Sequence, residues 1–155
     1  MKGSLTLAVL AATLAAPALA QKGDVAHGRY VAIIGGCNDC HTAGFPQKDG
    51  KVPETEWLLG NAVGFRGPWG TSYPTNLRLT VSKMSEEQWV AYARKLQARP
   101  PMPWFNLNKM KEADLRAFYN FVKSLGAPGK PAPESLPPGA EPKTPFVVFV
   151  PQAPK

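Results

Sequence analysis

Five consecutive residues, Cys37-Asn38-Asp39-Cys40-His41, put two thiols and an imidazole side by side. This C-x-x-C-H order is the pattern of c-type haem attachment. Each thiol adds to one vinyl group of a porphyrin, and two intervening residues let both sulfurs reach neighbouring vinyls on one ring edge. The histidine that follows falls beneath the iron and binds it through a ring nitrogen. Gly35-Gly36, immediately ahead, let the backbone approach the ring closely. A chain organised around such a site has a large apolar cofactor as part of its core, so long irregular loops become tolerable.

Other uses of paired cysteines fit less well. A thioredoxin-like dithiol needs a βαβ setting, and no β-rich run flanks the motif. Zinc needs four ligands, and His27 is the one histidine outside the motif. A plain disulfide is the ordinary expectation for two cysteines in an exported chain, but the adjacent histidine points to haem. His27 reads as a surface residue of the first helix, with bis-histidine ligation as the alternative.

Export is expected from the N-terminus. Met1-Lys2-Gly3, an apolar run from Leu5 to Ala16, Pro17 and the small-residue ending Ala18-Leu19-Ala20 make a secretory signal peptide. The run is shorter than the ~20 residues that span a bilayer. Cleavage before Gln21 leaves 135 residues, enough for one domain, with no further transmembrane segment, and the expected location is the periplasm. Removing Lys2 takes the net charge from +7 to +6. A basic surface suits an acidic partner or an anionic membrane surface. Export, and basic residues dispersed along the chain, argue against nucleic acid.

An electron-carrying iron needs a sixth ligand, and methionine there raises the reduction potential. The candidates are Met84, Met102 and Met110. Met84 precedes Ser85-Glu86-Glu87-Gln88, whose S-x-x-Q spacing is a capping box. Met110 falls in the first turn of the last expected helix, and both read as packing residues. Met102 stands in Arg99-Pro100-Pro101-Met102-Pro103-Trp104, which can be neither helix nor central strand. Such a loop has little freedom to lose, so it can hold a thioether toward iron at low entropic cost. Met102 is the expected ligand.

Three helices are predicted. The first spans 24–34, capped by Asp24, with Ala26, Tyr30, Val31 and Ile34 inward and Gly35-Gly36 as its stop. The second spans 86–98, with Trp89, Val90, Ala93 and Leu96 inward. The third spans 109–125, capped by Asn108, with Leu115, Phe118, Tyr119, Val122 and Leu125 buried and Gly126 as its end. Residues 42–84 read as loop, in which Arg66, Trp69, Tyr73, Asn76 and Arg78 are candidate propionate neighbours. Residues 127–155 hold nine prolines, so helix or sheet interior is excluded there. Phe146-Val147-Val148-Phe149-Val150 is the exception, a β-prone run expected to pack on its own domain or dock on a partner subunit. The expected organisation is a signal peptide at 1–20, one haem domain at 21–126 and a Pro-rich extension at 127–155.

Gly28-Arg29-Tyr30-Val31-Ala32 leading into CNDCH resembles the first helix of class I cytochromes c, where a small residue and an aromatic meet the last helix. Gly67-Pro68-Trp69-Gly70-Thr71-Ser72-Tyr73-Pro74-Thr75-Asn76-Leu77 and Met102-Pro103-Trp104-Phe105 resemble segments of the same domains, most closely in the cytochrome subunits of membrane-associated bacterial alcohol and sugar dehydrogenases. Leu77-Arg78-Leu79-Thr80 stands where those subunits tend to have a threonine-proline-aspartate turn. The resemblance implies an all-α class I cytochrome c fold, with three main helices and long loops around one covalent haem c. Cys37 and Cys40 would attach the cofactor, and His41 and Met102 would ligate its iron. The implied role is that of an electron carrier between redox proteins with acidic docking surfaces, and not an enzyme. The alternatives are a permanent subunit of a dehydrogenase or oxidase complex, and a haem protein with an open iron position.

Overall fold

The computed structural model describes residues 16–150, with side chains from Asp24 onward. Most of the expected signal peptide therefore lies outside the described residues. Six helices are present: α1 (Ala16–Ile34), α2 (Cys37–His41), α3 (Leu77–Ser82), α4 (Glu86–Lys95), α5 (Trp104–Lys109) and α6 (Glu112–Ser124). None among the described residues is long and apolar enough to cross a membrane.

The frame is α1 laid against α6. Gly28 permits the approach: a Cβ there would lie 1.9 Å from the Ala117 carbonyl oxygen and 2.7 Å from Phe121 Cβ. This contact sets the rotation of α1, so Val31 and Ala32 turn inward. Ala26, Tyr30 and Ile34, expected inside, are exposed, the last two by 56% and 63%, because the close helix–helix seam runs through Gly28 instead. Of the expected α6 stripe, Leu115, Phe118 and Val122 are buried and Tyr119 and Leu125 half-buried, and Ala117 and Phe121 join the buried face. Trp89 and Ala93 of α4 pack on the same core, Trp89 stacking on Phe118 and donating its indole N–H to the Leu115 carbonyl at 2.9 Å. Burial of each such side chain is worth roughly 1.5–3 kcal/mol.

Side-chain caps start α3 and α4, whereas Asp24, expected to cap the first helix, lies inside α1, which begins at Ala16. The Ser85–Gln88 box forms reciprocally: Gln88 N–H donates to Ser85 Oγ at 3.2 Å, and Ser85 N–H donates to Gln88 Oε1 at 2.8 Å. Asn76 caps α3 by accepting from Leu79 N–H at 2.9 Å, which makes a helix within a stretch expected to be loop. Asn108 does not cap α6. It lies in α5, and its amide donates to the Ala93 and Leu96 carbonyls at the end of α4. Met110 turns extended between α5 and α6, so the single helix expected over 109–125 starts later.

The expectation of an all-α fold is corrected by a three-stranded sheet, ordered β2-β1-β3. β1 (Gly64–Gly67) and β2 (Gly70–Ser72) form an antiparallel hairpin, and β3 (Phe146–Val148) joins β1 in parallel. Thus the β-prone run of the tail packs on its own chain. Gly64 N–H donates to the Pro145 carbonyl at 2.9 Å and Phe149 N–H to the Arg66 carbonyl at 2.7 Å. Arg66 adds a fork to Glu141, at 2.8 and 2.6 Å, and lies over the Phe146 ring.

The Arg66 hydrogen bond holds the Glu141 carboxyl below its ordinary value. A depressed carboxylate stabilises the fold above its ordinary pKa, and that contribution is lost as pH falls through the folded value. Protection of the Phe149 amide against hydrogen exchange should therefore decline through the acidic carboxylate range. Glu141→Gln should lower it at neutral pH and flatten its pH dependence. Equal protection profiles for the two proteins would refute this role.

Candidate haem attachment site

α1 ends at Gly35-Gly36, and Gly36 adopts a left-handed φ of 65° that turns the chain into α2. This one-turn helix carries Cys37, Cys40 and His41. Both cysteines are half-buried and neither is in a disulfide. Burial is the main reason the Cys37 thiol is pushed up to about 12, with Asp39 and Cys40 adding to the shift and the residue's own backbone N–H opposing it. Cys40 is raised by burial first and by Asp39 second. Both sulfurs are thus held as neutral thiols.

His41 is 8% exposed. Burial lowers its pKa, and the hydrogen bond to Thr75 opposes that shift. A neutral imidazole beside a carbonyl must donate through the nitrogen that faces it. Here Nδ1 lies 2.7 Å from the Thr75 carbonyl oxygen, so Nδ1–H donates and Nε2 keeps its lone pair. A donor tied to a carbonyl on one side, with a free lone pair on the other, is how metal-bound histidines are oriented. The donor set therefore fits a c-type haem: two free thiols at the required spacing and one imidazole with its tautomer determined.

Three segments hold this ring in place. Thr42 Oγ1 donates to Asn38 Oδ1 at 2.7 Å and accepts from Leu58 N–H at 2.8 Å. Gly60 N–H donates to the His41 carbonyl at 2.8 Å. The Leu58 carbonyl accepts from Leu77 N–H at 2.9 Å, two residues past Thr75. Leu58 itself is fully buried at a left-handed φ of 60°, a conformation that costs a branched residue about 1–3 kcal/mol. Sequence reasoning missed Thr42 and Leu58, because their roles depend on contacts across the fold.

The remaining predicted residues are distributed as follows. Met102 is half-buried after a turn at Pro100-Pro101, its N–H donating to the Arg99 carbonyl at 3.3 Å and its carbonyl accepting from Trp104 N–H at 2.9 Å. Met84 borders a cleft with Thr75, Leu79 and Lys83. Met110 packs on the core, with its methyl beside Gly35. His27 is exposed, and its Nε2 pairs with Asp114 Oδ1 at 2.7 Å. Of the candidate propionate neighbours, Arg66 is engaged by Glu141 and Asn76 by α3 and the tail. Tyr73 OH accepts from Thr144, Trp69 donates to the Phe65 carbonyl, and Arg78 binds three backbone carbonyls. Among the described residues, no three His, Cys, Asp or Glu side chains converge as a metal-ligand set.

Thr42→Val tests the support of this ring. It leaves Leu58 N–H and Asn38 Oδ1 buried without partners, a loss of about 1–3 kcal/mol for each orphaned group. Chemical denaturation should show that loss, and Thr42→Ser should recover most of it. Equal stability of the valine and serine variants would rule the hydroxyl out.

No family model matches this chain, and no solved structure gives a significant match. The fructose dehydrogenase cytochrome subunit of Gluconobacter japonicus is 27% identical over 126 residues, covering 72% of this chain and 24% of that protein. The chain thus spans about a quarter of the length of this relative. The relationship is distant and cytochrome c-like at a coarse level, which fits an electron-transfer role and a haem cofactor.

Proposed function

We propose that this chain is a periplasmic monohaem c-type cytochrome carrying single electrons between redox proteins. Cys37 and Cys40 would hold one haem c, and His41 and Met102 would ligate its iron. The observation that carries the reading is the His41 ring, buried and neutral, with Nδ1–H tied to the Thr75 carbonyl and Nε2 left with its lone pair beside two free thiols. Bound there, haem supplies a one-electron iron couple.

The chain's own groups do the rest. Cys37 and Cys40 hold the porphyrin edge through thioether bonds. His41 donates through Nε2, and its bond to Thr75 strengthens that donation and prevents the ring from rotating. Met102 offers a thioether from a proline-bounded loop that is largely organised before ligation. Two side-chain ligands exclude substrate from the metal and keep the geometry alike in both oxidation states. A basic chain steers an acidic partner, so association should slow as salt rises.

A second reading is favoured by the relative, which is a cytochrome subunit of a dehydrogenase. In that case the chain is a permanent member of an oxidoreductase complex. A free carrier elutes as a monomer from periplasmic extract, whereas a subunit co-purifies with its enzyme at fixed stoichiometry.

Absorption spectra with and without carbon monoxide test the ligand set. The purified protein should give a c-type spectrum indifferent to carbon monoxide, with the weak far-red band of an Fe(III)–thioether bond. Met102→Ala should keep the covalent haem, lose that band and bind carbon monoxide. Ready carbon monoxide binding by the unaltered protein would overturn the His/Met assignment and favour an open iron site.

A further inference from the structure

Arg78 is a buried cation with no carboxylate partner among the described residues. The residue is 5% exposed, and its guanidinium donates from Nε to the Trp57 carbonyl, from one terminal nitrogen to Leu125 and from the other to Glu54, each at 2.7 Å. Leaving a charge in the interior is costly unless every donor is well directed. Three carbonyls, two from residues 54–57 and one from the end of α6, accept from the guanidinium N–H groups. The Leu125 carbonyl adds the negative end of the α6 dipole.

The position of this clamp explains its use. Three hydrogen bonds, with the chain itself linking them, form a closed circuit around the candidate ligand. His41 Nδ1–H reaches the Thr75 carbonyl, Leu77 N–H reaches the Leu58 carbonyl, Leu58 N–H reaches Thr42 Oγ1, and Thr42 adjoins His41. Arg78 joins two arcs of that circuit at once. Its backbone follows Leu77, its own N–H reaches the Leu58 carbonyl at 3.4 Å, and its side chain grips Trp57 beside the strained Leu58. The same guanidinium anchors the whole to the end of α6.

We infer that Arg78 is a positioning residue for His41: it holds the Thr75 carbonyl where it determines the tautomer and orientation of the imidazole. The inference rests on the reading of His41 as the iron ligand only for its effect on reduction potential. Lysine cannot substitute, because an ammonium is a compact point charge that cannot span three carbonyls as a planar fork does.

Arg78→Lys and Arg78→Met, made in the full chain, test this. With nitrogen-15-labelled histidine and arginine, exchange of the His41 Nδ1–H with solvent is followed by NMR in the reduced protein. Both variants should exchange at least tenfold faster than the unaltered protein while far-ultraviolet circular dichroism shows the helices retained. The reduction potential should move positive, because a weaker Nδ1–H bond makes the imidazole a poorer donor to Fe(III). Glu141→Gln, which breaks a different arginine contact, should move neither readout. In the unaltered protein, Arg78 Nε–H and His41 Nδ1–H should exchange with the same denaturant dependence, a measurement that holds even if both Arg78 variants fail to fold. Unchanged Nδ1–H exchange in folded variants, equal shifts from Glu141→Gln, or unlike denaturant dependence of the two protons would overturn the inference. A purified protein lacking covalent haem would sink the proposed function instead, and the same exchange can then be read on the haem-free chain.

Discussion

The hydrogen bond from His41 Nδ1 to the Thr75 carbonyl is the contact on which the candidate site depends. An imidazole alone can present either nitrogen and can rotate. Burial removes its charge, and the carbonyl then decides which nitrogen keeps the proton. Leu58, Leu77 and Arg78 brace the segment that carries that carbonyl. Leu58 accepts an unfavourable backbone conformation because Thr42, Leu77 and Arg78 bind both of its peptide groups. Gly60 could not carry a side chain there, since a Cβ would come within 3.0 Å of the Pro74 carbonyl oxygen and 2.9 Å of Asn76 N.

The frame and the site are mechanically continuous. α1, seated on α6 through Gly28, runs into Gly36 and so aims α2. α6 ends at Leu125, whose carbonyl is held by Arg78, and Arg78 grips Trp57 as well. Trp57 is itself packed edge-on to both Phe45 and Phe121 and covered by the Arg29 guanidinium. A shift in the helix pair would therefore reach the His41 ring through a short run of packed, hydrogen-bonded groups.

What the chain reveals to a reader depends on how local the cause is. The Ser85–Gln88 box and the Gly35-Gly36 stop act over a few residues, and the structure starts α4 and ends α1 where those signals put them. The one-turn α2 at the attachment motif lies outside the three predicted helices, and α4 ends at Lys95, before the expected 98. Asn76 was a legible cap, and weighing it as one would have found α3. Asn108 looked like a cap of the following helix but serves the preceding one, a choice made only when α4 and α5 meet. The outward turn of Tyr30 and Ile34 follows from the depth of the Gly28 contact, which periodicity does not measure. The parallel pairing of β1 with β3 and the three-carbonyl grip of Arg78 join parts far apart in sequence, so no local pattern announces them.

Proline explains how the tail stays attached. A segment poor in N–H groups can offer few donors, so it must bind mainly by accepting. The carbonyls of Pro128 and Lys130 accept from the Asn76 amide, and that of Leu136 accepts from Thr71 N–H and from Arg99. In these contacts the donors come from the body, while Leu136 N–H donates back to the Thr71 carbonyl at 2.8 Å. Two of the body's donors flank candidate site segments: Asn76 follows Thr75, and Arg99 opens the loop that carries Met102. Gly70 makes room for the closest approach, since a Cβ there would lie 2.2 Å from the Leu136 carbonyl oxygen. A Pro-rich sequence is usually read as a spacer. Here the shortage of N–H groups makes it largely an acceptor strip for donors along residues 64–76, and β3 completes the strip with its own three apolar residues and the next two, Phe149 and Val150, exposed.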